Sequence, residues 1–334
     1  MKRFIPIYII ALCALCLTAC ENGEENPQIE LKDIPITLEA AVTRANGEFA
    51  YERFGVWAFI NNSVQTNYPY MENLLVKNVG GEWVYSPAKY WLDDTRFEFV
   101  ATYPYDVNGN IFTVDTSTGA VQLTLNNTPS VTDYLVATES VDTSDAGFNP
   151  SSPVQLQFKH MLSNISLKVW RDGVKHQNDQ MRIRKVTLSN IRKAGTYSSS
   201  TDTWATTNEK LAMVYENNTL ADSDNIGGAT QDNDSYQFGG VASVPFNELM
   251  LLPQTIDASN NIVLKIDYEL KRQNAADWEA AELETVLPAT TWDSGKKYTY
   301  NVVLSQVTDI TVYYIQTKVD PWGTPQVGGT VIIK

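Results

Sequence analysis

The sequence predicts an all-β protein made of two tandem antiparallel β-sandwich domains. Three observations lead to this prediction. Short runs of β-branched and aromatic residues recur through the chain, and apolar and polar side chains alternate within them. Asn, Asp, Gly, Ser and Pro separate these runs, and no long stretch repeats its apolar residues at the helical period of about 3.6. Many short strands bounded by turn residues are typical of β-sandwiches.

The N-terminus has the pattern of a lipoprotein signal peptide. A basic start, an apolar run over residues 4–17 and the small residues Thr18 and Ala19 precede Cys20. The apolar run is shorter than the roughly 20 residues that span a bilayer, which argues against a transmembrane anchor. We therefore expect residues 1–19 to be removed as a signal peptide and Cys20 to carry the lipid of a bacterial envelope lipoprotein.

An acidic tether and an amphipathic strand follow the cysteine. The tether, residues 20–33, contains the polar, acidic stretch 21–28, which cannot bury itself. In residues 34–44 the apolar side chains fall on one face, namely those of Ile34, Ile36, Leu38, Ala40 and Val42. This alternation predicts a strand with one buried face, and Arg44 ends it. An ordinary first strand followed by a solvated arginine is the alternative interpretation.

A turn-rich segment divides the predicted strands into two groups. Residues 140–153 form the longest stretch of Ser, Asp, Gly, Asn and Pro between strand-like runs. We place the domain boundary here, with an N-terminal sandwich over residues 45–150 and a C-terminal sandwich over residues 151–334. Residues 275–287 fit either a helix or a strand. The clearest predicted strands are residues 54–60, 97–103, 121–125, 165–170, 262–268 and 298–304.

Composition and charge exclude several classes of function. The chain carries 25 basic and 39 acidic side chains, a formal net charge of −14. A negative field of this size repels nucleic acid and anionic membrane surfaces, so we expect no nucleic-acid partner. All three cysteines lie at or before Cys20, which leaves the mature fold without disulfides or thiol chemistry.

The sequence contains no recognisable pattern for catalysis or metal binding. Motifs for a serine nucleophile, a phosphate loop or a dinucleotide are absent. His160, beside a predicted strand, is interpreted as structural, and His176, in a polar loop, as solvated. Residues 222–233 resemble a calcium loop but have Ile226 and Asn233 where ligands are required. We therefore predict a protein that is not an enzyme and uses no cofactor or metal.

The eight tryptophans raise the alternative of a surface glycan-binding lipoprotein. Exposed aromatic rings would stack on sugars. Most of these tryptophans, however, lie in or beside strand-like runs, where large aromatic side chains belong to the core. An exposed platform of Trp or Tyr side chains would favour the glycan-binding alternative.

An ordered set of motifs resembles the fimbrillin (Mfa-like) family of type V pilus subunits. The motifs span almost the whole chain and are Trp83-Val-Tyr-Ser-Pro-Ala-Lys-Tyr-Trp91, Phe97-Glu-Phe-Val-Ala-Thr-Tyr-Pro104, Phe158-Lys-His-Met-Leu-Ser-Asn-Ile165, Leu251-Leu-Pro-Gln254, Trp292-Asp-Ser-Gly-Lys-Lys-Tyr-Thr-Tyr300 and Val319-Asp-Pro-Trp322. The resemblance implies two transthyretin-like sandwiches in a surface-exposed precursor lipoprotein of the outer membrane. It further implies that an Arg-specific protease removes the first strand and that a strand from another subunit fills the groove. The product would be a fimbria that contributes to adhesion.

The resemblance also assigns residues to this assembly. The cut corresponds to the bond between Arg44 and Ala45, so that residues 34–44 end a propeptide. The implied partners are other fimbrial subunits, joined head to tail, and outer-membrane lipid through Cys20. An uncleaved anchor subunit, in which Arg44 is incidental, is an alternative. The donor strand corresponds to C-terminal residues that would otherwise complete the second sandwich, namely Thr330, Val331, Ile332 and Ile333.

Overall fold

The computed structural model describes residues 30–42, 51–115, 118–232, 235–306, 309–315 and 330–331. Within these ranges the elements are β-strands, apart from two short 3₁₀ helices at Leu31–Asp33 and Asp222–Asp224. The predicted all-β fold class is confirmed, whereas its arrangement as two tandem transthyretin-like sandwiches stays a prediction. Each of the six clearest predicted strands overlaps a strand of the structure, and the ambiguous residues 275–287 contain a strand rather than a helix.

The strands of the described chain are numbered in chain order. The first group comprises β1 (Leu38–Val42), β2 (Arg53–Asn61), β3 (Tyr68–Val79), β4 (Glu82–Val84), β5 (Arg96–Tyr103), β6 (Phe112–Asp115), β7 (Ala120–Leu125), β8 (Leu135–Asp142) and β9 (Val154–His160). The second comprises β10 (Ser163–Asp172), β11 (Gln180–Arg192), β12 (Gly195–Ser198), β13 (Thr203–Thr206), β14 (Lys210–Glu216), β15 (Gly228–Asp232), β16 (Ser235–Gly239) and β17 (Ser243–Leu251). The third comprises β18 (Gln254–Ile256), β19 (Val263–Lys271), β20 (Glu279–Val286), β21 (Thr290–Trp292), β22 (Lys297–Gln306), β23 (Asp309–Ile315) and β24 (Thr330–Val331).

These strands form four larger sheets and one two-stranded ladder. Sheet A has the order β1-β9-β8-β5-β2-β3-β4, and sheet B has the order β13-β12-β7-β6. Sheet C has the order β16-β15-β10-β22-β23-β24, and β17 also pairs with β10. Sheet D has the order β14-β11-β19-β20, and β18 pairs with β21. In the described chain, the pairs β1 with β9, β10 with β15 and β10 with β22 are parallel.

Sheet A curls until its two ends meet around an apolar core. β1 and β4 stand at opposite ends of the strand order, yet they contact each other. Just beyond β4, Tyr90 forms a β-bridge with Pro35. β9 shows how the sequence produces this arrangement, because every second residue is buried and those between are exposed. The enclosed side chains include Phe54, Phe97, Phe99, Leu135, Leu156 and Phe158.

Two further cores join the remaining sheets. The outer face of sheet A packs on sheet B through a cluster that includes Phe59, Val100, Val136, Phe112, Leu123 and Tyr197. Sheets C and D enclose a separate core that includes Leu167, Val302, Leu188 and Ile266. The described chain therefore contains one packed unit of sheets A and B and another of sheets C and D.

The division between these units does not coincide with the predicted boundary at residue 150. β9 begins at Val154 and is a strand of sheet A, so the first unit continues to His160. β12 and β13 belong to the second half of the sequence, yet β12 pairs with β7 of the first half, with Gly195 opposite Leu125. A turn-rich composition marks loops, whereas strand pairing is set by contacts between residues that are distant in sequence.

Trp91→Ala is expected to lower the free energy of unfolding by about 3–5 kcal/mol, because it leaves a large cavity in the core of sheet A. Trp91 is 1% exposed, its Nε1–H donates to the Pro150 carbonyl at 3.1 Å, and its ring meets that of Phe97 edge-on at 5.2 Å. Urea unfolding measures the change. The control is Val131→Ala at a fully exposed site, which is expected to shift stability by less than about 0.5 kcal/mol. Equal effects of the two variants would contradict the assignment of Trp91 to the core.

Candidate functional site

The candidate site consists of the first strand segment, residues 34–42, and the two edges between which it lies. β1 pairs in parallel with β9 along its full length, from Leu38 opposite Val154 to Val42 opposite Phe158. The Val154 amide also donates to the Thr37 carbonyl, just before β1, at 2.8 Å. On this side the segment therefore covers the edge of β9.

The other side of the first strand segment is held by residues 85–91, called here the closing segment. The Ile36 amide donates to the Lys89 carbonyl at 2.8 Å. The Trp91 amide donates to the Ile34 carbonyl at 3.3 Å. The first strand segment thus satisfies backbone groups on two edges that are far apart in sequence.

Tyr85 adds a side-chain hydrogen bond to the same contact. Its hydroxyl donates to the Ile36 carbonyl at 2.8 Å. Burial raises the pKa of Tyr85 to about 12, so the hydroxyl stays protonated and able to donate across the physiological pH range. Sequence reasoning missed this role. The signal in the sequence is the pair of aromatic residues Trp83 and Tyr85 on either side of Val84. In the structure both aromatic side chains are half-buried and Val84 is exposed.

The apolar face of the first strand segment points into the core of sheet A. Ile36 and Leu38 are 2% and 5% exposed, whereas Thr37 between them is exposed. Ile34 and Ala40 are half-buried and pack against the same core. The segment therefore contributes side chains to the interior as well as backbone to the sheet.

The energetics favour an extended strand as the occupant of this position. Burial of Ile36 and Leu38 stabilises the seated strand by about 1.5–3 kcal/mol for each side chain, before the entropy cost of ordering. Without the segment, apolar side chains and unpaired amides and carbonyls of β9 and the closing segment would face water. The site is therefore shaped for a strand that brings both backbone groups and alternating apolar side chains.

The C-terminal candidates lie at the edge of a different sheet. Thr330 and Val331 form β24, which pairs antiparallel with β23. Val331 stands opposite Tyr314 and Thr330 opposite Ile315. The structure thus places this described part of the candidate donor strand on sheet C and not beside the first strand segment.

Several sequence-predicted site residues lie outside the described part of the chain. They are Cys20, Arg44, Ala45, Ile332, Ile333 and the side chain of Val42. Among the described residues, no helix is long and apolar enough to cross a membrane.

Both histidines are buried and paired with aspartates. His160 is 2% exposed, and its Nδ1 lies 2.9 Å from Asp133 Oδ1, a position that fits its structural interpretation. His176 is 7% exposed and its Nδ1 lies 2.9 Å from Asp179 Oδ2, so the prediction that it is solvated is wrong. Its loop folds inward because the Arg171 guanidinium donates to the His176 carbonyl at 2.5 Å.

Polar side chains of the acidic loop near residue 222 form hydrogen bonds with backbone amides of the fold. Asp224 Oδ2 accepts from the Ala221 amide at 2.9 Å, and Asn225 Oδ1 accepts from the Met181 amide at 2.8 Å. Within the described ranges, no three His, Cys, Asp or Glu side chains converge as metal ligands. The loop is therefore accounted for by local hydrogen bonds.

A profile described as fimbrillin-like matches residues 43–322, which is most of the chain. The chain belongs to the fimbrillin-like family. The resemblance drawn from the ordered motifs is thereby confirmed. The family match begins directly after β1 ends at Val42, so the first strand segment precedes the matched region of this fimbrillin-like chain.

Solved structures share the fold of this fimbrillin-like chain. A fimbrial protein from Bacteroides vulgatus is 18% identical and superposes with a TM-score of 0.62, covering 83% of this chain and 98% of its own. A candidate cell adhesion protein from Bacteroides ovatus is 20% identical with a TM-score of 0.50, covering 86% of this chain and 97% of its own. No curated protein sequence matches the chain. At these identities the likeness concerns the fold.

Leu38→Ala is expected to lower the free energy of unfolding by about 2–5 kcal/mol, because it removes a buried side chain of the first strand segment. Thr37→Ala is the matched control on the exposed face of the same strand and is expected to cost less than about 0.5 kcal/mol. Urea unfolding of both variants measures the difference. Similar losses of unfolding free energy at the two positions would show that the Leu38 side of the segment does not face the core in solution.

Tyr85→Phe is expected to loosen the first strand segment without unfolding the protein. The Ile36 carbonyl loses a donor that contributes about 0.5–1.5 kcal/mol, so the amides of β1 exchange up to about tenfold faster. Native-state hydrogen exchange with mass spectrometry measures this change. Tyr90→Phe, in the same closing segment but 40% exposed, is the control and should leave exchange unchanged. Unaltered amide exchange in Tyr85→Phe would contradict the role of the Tyr85 hydroxyl in holding the first strand segment.

Proposed function

We propose that this fimbrillin-like chain is a structural subunit of a fimbria that contributes to adhesion and assembles by exchange of its first strand. One observation carries the proposal. The first strand segment fills a groove between the β9 edge and the closing segment and buries Ile36 and Leu38 there. An occupant held by non-covalent contacts on both sides is replaceable by a strand of similar pattern.

Cleavage between Arg44 and Ala45 would release this occupant. Arg44 lies two residues beyond the end of β1 at Val42, and the described chain resumes at residue 51 before β2. After the cut, the chain that holds residues 34–44 retains no covalent link to β2. An open groove with unpaired edges is a template for strand addition. An Arg-specific protease therefore acts as the trigger of assembly in this proposal.

The C-terminal residues Thr330, Val331, Ile332 and Ile333 are the proposed donor. The described part, β24, is a two-residue strand paired with β23 alone among the described strands. Within the described chain β24 is the edge strand of sheet C, and an edge strand can pair with a neighbouring subunit instead. A donor at one end and a groove at the other make a head-to-tail contact, which builds a filament rather than a closed ring.

The proposal also covers export and localisation. Lipid on Cys20 holds the precursor at the outer membrane, with the folded chain exposed at the surface, until the cut after Arg44 frees it into the fimbrium. The tether of residues 20–33 separates lipid from fold. In this scheme the subunit acts through binding to other subunits and needs no catalytic residue, cofactor or metal.

Digestion of the soluble chain, residues 21–334, with an Arg-specific protease tests the proposal. We expect one early cut after Arg44, followed by oligomers that grow with time, measured by intact mass and size-exclusion chromatography. Arg44→Lys should block both events, whereas Arg53→Lys at the start of β2 should block neither. Removal of residues 330–334 should leave cleavage intact and stop oligomer growth.

The possible outcomes separate the alternatives. A chain that stays uncut and monomeric would replace the proposal with an uncleaved anchor subunit. A cut chain that stays monomeric even with its C-terminus present would rule out strand exchange through that segment.

A further inference from the structure

Most of β3 forms an edge of sheet A that has no partner strand in the described chain. β4 pairs with β3 only over residues 77–79, so residues 68–76 have no strand on that side within the described chain. In this stretch Tyr68 is 49% exposed, Tyr70 is half-buried and Glu72 is exposed.

Two cavities flank this edge, one on each face of sheet A. One, of about 440 Å³, is lined by the rings of Tyr68 and Tyr70 and by Lys89. The other, of about 320 Å³, is lined by Trp57 and Phe112, among others. Both volumes fall within the usual range of small-molecule sites, about 300–1,000 Å³. Pro69 and Glu72 line both cavities. The two cavities are called here together the β3 groove.

Two aromatic side chains of the β3 groove, Tyr70 and Trp57, are held by contacts within the fold. The Tyr70 hydroxyl donates to the Tyr90 carbonyl at 2.8 Å, and the Lys89 ammonium lies 4.8 Å from the centre of the Tyr70 ring. Trp57 packs against the core between sheets A and B. Such preorganisation lowers the entropy cost of binding a ligand.

Glu72 stands at the centre of the groove with its carboxylate available. Its side chain is exposed, and no cation or hydrogen-bond donor of the described chain contacts it. Asn67 contributes an amide to the smaller cavity. A carboxylate accepts several hydrogen bonds, and an amide both donates and accepts. The β3 groove therefore combines aromatic faces with polar groups suited to hydroxyls.

A strand from a second protein does not fit this edge. Pro69 has no amide hydrogen to donate, and the pairing of β2 with β3 shifts register around Ala58. Proline and irregular register on an edge are devices that prevent strand addition. The occupant is therefore a molecule that binds through side chains.

We propose that the β3 groove binds a neutral oligosaccharide. A pyranose ring has an apolar face that stacks on Tyr or Trp and a rim of hydroxyls that pairs with Glu72 and Asn67. Two cavities that share Pro69 and Glu72 across one strand edge accommodate more than one ring, which favours an oligosaccharide over a single sugar. The net charge of −14 and the carboxylate at the centre disfavour acidic glycans. This activity does not depend on strand exchange.

An array of neutral and acidic glycans, probed with the soluble chain of residues 21–334, tests the proposal. The neutral set includes hexasaccharides of maltose, cellulose, mannan and xylan type and neutral mucin-type glycans; the acidic set includes chondroitin sulfate and polygalacturonate fragments. The expected result is selective binding of at least one neutral glycan, then titrated by tryptophan fluorescence. Tyr68→Ala should weaken its affinity about tenfold, and Tyr68→Phe, which keeps the ring, should change it less than about threefold.

Carboxylate variants complete the test. Glu72→Gln should weaken the same neutral glycan several-fold, whereas Glu82→Gln, an exposed glutamate on β4 away from both cavities, should have no effect. Binding of acidic glycans alone would overturn the proposal. So would the absence of neutral binding below about 10 mM, or neutral binding that Tyr68→Ala and Glu72→Gln leave unchanged. Protease-triggered oligomer growth, measured on the same variants, should stay normal and separates this result from the fimbrial proposal.

Discussion

The parallel pairing of β1 with β9 is the contact on which the first unit depends. Sheet A curls far enough to bring β9 and the closing segment to opposite sides of one gap. The first strand segment fills this gap, with backbone bonds to both sides and with Ile36 and Leu38 in the core. The first unit is therefore closed by an N-terminal segment that is held to β9 and the closing segment by non-covalent contacts.

The second constraint is the way the two halves of the chain share sheets. β12 and β13 come from the second half and complete sheet B beside β7, where Tyr197 and Trp204 join the cluster beneath sheet A. The first unit is therefore complete only when the second half has been synthesised. Opening the groove at β1 leaves this shared cluster intact, because β1 contributes to the other face of sheet A.

Local patterns in the sequence predicted local structure well. Alternation around Phe54, Phe97 and Tyr298 located strands, and the face of residues 34–42 was correctly divided between core and solvent at Ile36, Thr37 and Leu38. Partner choice was not predictable in the same way. The parallel register with β9, the hydrogen bond from Tyr85 and the crossing of β12 to β7 join positions that are distant in sequence. Their stability comes from cross-strand packing, for which a single sequence offers no local signal.

The shared sheet B also has a consequence for a subunit under tension. A fibre attached to a surface is pulled along its axis by flow, and each subunit must transmit that force between its two units. Because β12 pairs with β7 over four residue pairs, separating the units requires those bonds and the cluster around Tyr197 to be disrupted, in addition to straightening a linker. Resistance to pulling is governed by the rate of unfolding rather than by equilibrium stability. The hairpin of β12 and β13 is thus a mechanical coupling between the two units, which two domains joined only by a flexible linker would lack.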